Sequence, residues 1–112
     1  MKRFQFPLDK VLSLRTFLEK QAEVALQRVV GQRDMVKMKI EDIDAKILQS
    51  STLFSQRDAQ MADLFSLENY IKGLKVKKLQ LQTELLKLEK DVKLCLENYR
   101  EALKNRKILE RL

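Results

Sequence analysis

Between Leu64 and Leu109 the chain keeps one apolar stripe at alternating steps of three and four residues. The stripe runs Leu64, Leu67, Ile71, Leu74, Lys78, Leu81, Leu85, Leu88, Val92, Cys95, Tyr99, Ala102, Arg106, Leu109, and only Lys78 and Arg106 interrupt it. A helix whose apolar side repeats every 3.5 residues on average keeps that side turned toward a partner helix. Such a pair has no concave interior in which to do chemistry, so the pattern points to a protein that works by touching other proteins.

Composition agrees with long helices. The 112 residues hold two Gly, one Pro and no Trp, with 35% charged and 45% apolar residues. A compact globule of this size needs more turns and more aromatics than that. Cys95 has no second cysteine to bond and sits on the stripe, so it reads as a small core residue in a reducing compartment. No uncharged apolar run approaches the ~20 residues needed to span a bilayer. The Met1-Lys2-Arg3 start is not followed by the apolar segment of a secretory signal, and the expected location is the cytoplasm. The formal net charge is +7. Residues 1–58 hold 11 Lys/Arg against 8 Asp/Glu, and residues 59–112 hold 12 against 8. The excess is thus spread out. Its densest clusters, Lys72/Lys75/Lys77/Lys78 and Lys104/Arg106/Lys107/Arg111, have neither interleaved aromatics nor the form of a zipper-type basic region. They read as solvated helix faces, or as attraction toward acidic protein surfaces or anionic lipid; no nucleic-acid partner is expected.

Helix 1 is expected over about 7–49, with Pro7 suited to its first turn. Its stripe reads Phe4, Leu8, Val11, Arg15, Leu18, Ala22 and restarts as Ala22, Leu26, Val29, Arg33, Val36, Ile40, Ile43, Ile47, Ser50, Phe54. Two four-residue steps meet at Ala22, a stutter that would unwind the supercoil locally. Gly31 marks either a kink or close helix approach, or a surface position without consequence. The Ser/Thr-rich segment within about 50–58 is the expected turn, because those side chains compete for backbone hydrogen bonds. Helix 2 follows over about 59–112. Folding near position 55 gives one all-α domain over 1–112, a long two-helix antiparallel coiled coil (an α-hairpin), with paired residue numbers summing to about 110: Val36 near Leu74, Val29 near Leu81, Ala22 near Leu88, Leu8 near Ala102. The alternative is one continuous helix of about 105 residues, ~160 Å long, dimerised along its length as a scaffold or spacer.

Catalysis is not expected. The chain has no histidine, its one cysteine lies on the stripe, and Gly31 and Gly73 are isolated. No nucleophile–base pair, metal-ligand spacing or phosphate loop can be assembled. Glu41, Asp42 and Asp44 point to different faces of a helix. No cofactor, metal or small-molecule substrate is expected.

Phe4-Gln5-Phe6-Pro7-Leu8, followed by Val11-Leu12, Arg15 and Glu19, resembles the start of the flagellar export protein FliJ family, whose members open F-x-F-x-L, then a V-L pair, then Arg and Glu at helical spacing. Glu68-Asn69-Tyr70-Ile71 with Leu74, then Tyr99-Arg100-Glu101 and Lys107 through Leu112, are similar to that family's second helix. The resemblance implies a stalk-like coiled coil, like the central subunit of rotary ATPases, in the bacterial flagellar type III export apparatus. It implies contact with the hexameric export ATPase, with the cytoplasmic domain of the membrane export gate and with export chaperones. The implied location is cytoplasmic, peripheral to the inner membrane at the flagellar base. Candidate ATPase contacts are Phe4, Phe6, Leu8, Val11 and Leu12, which crowd apolar surface into the first turns, with Arg15 adding charge; packing onto Leu103, Ile108 and Leu112 is an equal alternative for them. Candidate gate contacts are Tyr70 and Leu74, which match family positions, with Ile43, Ile47 and Phe54 nearby in the hairpin. Lys72, Lys75 and Lys77 would speed encounter with an acidic partner.

Overall fold

The computed structural model describes residues 5–55 and 61–111, with side chains described over 7–53 and 63–111. All of the described residues are helical. Helix α1 spans Gln5–Ser55 and helix α2 spans Met61–Arg111, 51 residues each. They run antiparallel as an α-hairpin coiled coil. The chain divides into two compact units, one formed by Met1–Gln32 with Leu88–Leu112 and the other by Arg33–Lys87. Each unit holds a stretch of both helices.

Local chemistry accounts for the helix ends. Pro7 falls in the first turn of α1, where its missing N–H would have had no intrahelical acceptor. Asp63 lies in the first turn of α2 and Arg111 in its last, each placed to favour the local end of the helix dipole. The Ser/Thr-rich stretch does not break α1, which carries on to Ser55. Thr52 shows why: its hydroxyl donates to the Leu48 carbonyl at 2.9 Å, so the competing side chain is satisfied without leaving the helix. The first part of the expected turn is therefore helical, and residues 56–60 lie outside the described ones.

In α2 the half-buried positions reproduce the expected stripe from Leu67 to Leu109, while Leu64 is exposed. In α1, Val29, Val36 and Ile43 form the core line, at 8%, 4% and 4% exposure. Two helices alone enclose only the middle of their shared seam, so burial elsewhere along the stripe is partial. The stutter at Ala22 is not seen. The inward side before it is Leu12, Arg15 and Glu19, in unbroken three-four step with Ala22, Leu26, Val29 and Arg33, whereas Leu8, Val11 and Leu18 are exposed. The expectation followed hydrophobicity and so passed over Glu19. A carboxylate can occupy this inward position because a cation on α2 meets it there.

The register also differs from the expected one. Glu19 pairs with Arg106, and Asp44 with Lys78, so facing residues have numbers totalling 122 to 125 rather than about 110. Val29 accordingly faces the stretch 93–96 rather than Leu81, and Ile43 faces 79–82. The helical continuation of α1 through Ser55 moves the pairing in this direction. A cysteine placed at position 29 is expected to oxidise onto Cys95 within one chain, since this register sets position 29 opposite the stretch that holds Cys95. The pair Val29→Cys/Leu81→Cys in a Cys95→Ser background is expected to stay reduced; non-reducing electrophoresis and mass analysis distinguish the two registers.

A Cβ added at Gly31 or at Gly73 meets no atom within 4 Å. Neither glycine serves a close helix approach, and neither has a positive φ. Gly31→Ala and Gly73→Ala are each expected to stabilise the fold by about 1 kcal/mol through helix propensity alone. Denaturant unfolding followed by circular dichroism measures this, and a loss of stability at either site would contradict the open space around it.

Candidate interaction surfaces

The two residues that interrupt the α2 stripe both pair with acids of α1. Arg106 Nε donates to Glu19 Oε2 while its Nη1 donates to Glu110 Oε1 at 2.5 Å, so one guanidinium joins an acid of each helix. The Glu19 hydrogen bond is the main reason the Arg106 pKa is raised, with a further contribution from the Glu110 carboxylate; burial acts in the opposite direction. A cation whose folded-state pKa is raised contributes its stabilisation below the ordinary guanidinium range and loses it only above that range. Arg106 therefore keeps its charge across all ordinary pH. In the other unit Lys78 Nζ lies 2.6 Å from Asp44 Oδ1. The Glu19–Arg106 side chains are the more enclosed, at 16% and 21% exposure against 49% and 30% for Asp44 and Lys78. Within single helices, Lys46–Asp42 and Lys72–Glu68 are exposed i,i+4 pairs worth about 0.3–0.5 kcal/mol each.

The seam leaves a second set of apolar residues facing outward. On α1 within the first unit, Leu14, Phe17 and Val24 are 54%, 57% and 53% exposed. Phe17, Val24 and Ala25 share a shallow depression with Lys20, Gln21 and Arg28. In the second unit Met35, Met38 and Leu48 are exposed on α1, and Val76, Leu79 and Leu86 on α2. These residues were not singled out from the sequence. The signal was present, because Leu14, Phe17, Gln21 and Val24 keep the same three-four step as the seam, displaced around the helix.

Of the candidate ATPase contacts, Leu8 and Val11 are exposed, whereas Leu12 and Arg15 are half-buried on the seam side. Phe4 lies outside the described residues, as does the side chain of Phe6. Of the candidate gate contacts, Ile43 is buried in the seam, Ile47 and Leu74 are half-buried along it, and Tyr70 and Lys77 are exposed. The Phe54 side chain lies outside those described. Tyr70 and Lys77 are one heptad apart and share an edge of α2. Lys72 and Lys75 occupy another part of its surface, around a shallow depression with Leu64, Leu67, Glu68 and Ile71. The lysines expected to act together are thus divided between two sides of the helix.

Among the described residues no group of three or more His, Cys, Asp or Glu side chains is placed to hold a metal ion. Likewise no helix among them is long and apolar enough to cross a membrane. Comparison with protein-family models, curated proteins and solved structures found no match to this chain.

Arg106→Glu or Glu19→Arg alone sets like charges against each other at the seam and is expected to lower Tm. The double exchange is expected to recover most of the loss, as a direct pair requires. The equivalent exchange of Asp44 and Lys78 is expected to have the smaller effect because water reaches that pair. Circular dichroism melts of the six variants check both statements; no recovery in the first double variant would show that the two residues do not act as a pair.

Proposed function

We propose that this chain is a FliJ-family component of the bacterial flagellar type III protein export apparatus, a stalk-like coiled coil that links the export ATPase ring to the membrane export gate and promotes export. The carrying observation is an antiparallel hairpin of two 51-residue helices in which the start of α1 and the end of α2 belong to the same unit. The F-x-F-x-L opening that resembles the family leads directly into that unit's exposed apolar residues Leu8, Val11, Leu14 and Phe17. Of these, Val11, Leu14 and Phe17 lie toward one side of α1, and exposed apolar residues sharing a side mark protein contacts. On this reading the export ATPase meets α1 through these residues. The export gate's cytoplasmic domain meets α2 around Tyr70 and Lys77, which supply an aromatic anchor and a cation on one edge. Export chaperones are further partners of the same reading, as is residence in the cytoplasm against the inner membrane at the flagellar base.

The two contacts are tested separately. Leu14→Ser with Phe17→Ser changes exposed side chains, so helicity is expected to hold while affinity for the purified export ATPase falls about tenfold or more, the effect of losing an interface anchor. Tyr70→Ala is expected to weaken binding to the gate's cytoplasmic domain and to reduce motility in a complemented deletion strain, with ATPase binding retained. If the unaltered chain bound neither partner and did not complement such a strain, the export reading would fall.

A further inference from the structure

On the outward side of α2 within the first unit, the three-four step from Lys90 passes through Lys93, Glu97, Arg100, Lys104 and Lys107 to Arg111. All seven are exposed, and none makes an ion pair with another described residue. Six cations and one anion thus stand along one helix face for about 32 Å at 1.5 Å per residue. The other α2 cation of this unit, Arg106, is turned inward to Glu19. Near the end of the row, Leu103 and Ile108 form the apolar part of a shallow depression whose rim is Arg100, Lys104, Lys107 and Arg111.

We propose that this row docks an acidic amphipathic α-helix of a partner protein, independently of the export reading above. A helix bearing Asp or Glu at the same three-four spacing presents a straight, narrow line of negative charge that matches the row. A neighbouring leucine on that partner helix fits over Leu103 and Ile108. Glu97 fixes the alignment: the partner carries a Lys or Arg opposite it, and any other register sets carboxylate against carboxylate. An anionic bilayer is a poorer fit, because Glu97 lies within the row, Glu101 is exposed close by, and Leu94 and Ile108 are the only exposed large apolar residues over the stretch. A helix lying in a membrane interface presents a continuous apolar face instead. Nucleic acid is disfavoured by the same carboxylates and by the lack of an exposed aromatic for base stacking over this stretch of α2, where Tyr99 is half-buried.

The test uses the full chain and fluorescently labelled synthetic helical peptides, read by anisotropy at about 0.15 M salt, where exposed charges are screened over roughly 8 Å. One peptide carries seven Glu at three-four spacing with a flanking Leu. Two others replace the third or the fifth Glu by Lys, to meet Glu97 in either chain direction. The expected result is that one Lys-bearing peptide binds several-fold more tightly than the all-Glu peptide, and that Glu97→Lys reverses this preference. Lys104→Glu with Lys107→Glu is expected to weaken both about tenfold or more, and Lys104→Gln with Lys107→Gln to give a smaller loss. Circular dichroism verifies helicity, since every substituted side chain is exposed. The proposal is overturned if a scrambled peptide of the same composition binds equally well, or if Glu97→Lys leaves the preference unchanged. It is equally overturned if phosphatidylcholine vesicles with one quarter phosphatidylserine, or a short DNA duplex, are bound more tightly than the preferred peptide.

Discussion

Two helices side by side have one shared seam, and every long-range contact that fixes their alignment must be made along it. Apolar side chains supply most of the drive for such a seam, yet leucine against leucine scarcely distinguishes one alignment from another a heptad away. The charges set into this seam make that distinction. Arg106 meets Glu19 and Lys78 meets Asp44, and a slip of one heptad would put Leu12 or Leu26 in place of Glu19 and Lys37 or Ser51 in place of Asp44, leaving both half-enclosed cations without their acids. Desolvating a charge without its partner is costly, so these interruptions of the stripe select one register of the hairpin.

That division of labour explains what could be read in the residues beforehand. The α2 stripe was legible almost residue by residue, because its periodicity is set by helix geometry alone. The hairpin was legible from the matched arms. Register was not, because it depends on where the turn falls, and Thr52 bonding to the Leu48 carbonyl lets α1 run on through a stretch whose composition suggests a break. The inward side of early α1 was misread for a related reason: Leu8 and Leu18 are more apolar than Glu19, but Glu19 has a partner and they do not. Local composition shows which residues prefer burial, whereas only the assembled pair shows which polar group is satisfied there.

The candidate surfaces divide along the same line. Ile43 and Leu74, which the stripes already include, lie in the seam, and substitutions there would disturb the pairing itself. Tyr70, which stands one position off the stripe, is exposed. Leu14, Phe17 and Val24 escaped notice because a second periodic set is masked by the first, though its meaning becomes plain once α2 is seen to cover the other side of α1. A two-helix protein has little interior to maintain, so a large share of its apolar surface is left to face other molecules.

The forked bonding of Arg106 has a mechanical consequence. Its guanidinium ties Glu19 on α1 to Glu110 in the closing turns of its own helix. A helix terminus ordinarily frays turn by turn, with no effect on a neighbouring helix. Here, uncoiling that reaches Arg106 also removes a tie between the two helices, and separating the helices there removes a brace from the terminus. Fraying and splaying at this place become one cooperative opening, so a binding partner that grips only one helix would still feel the state of the other.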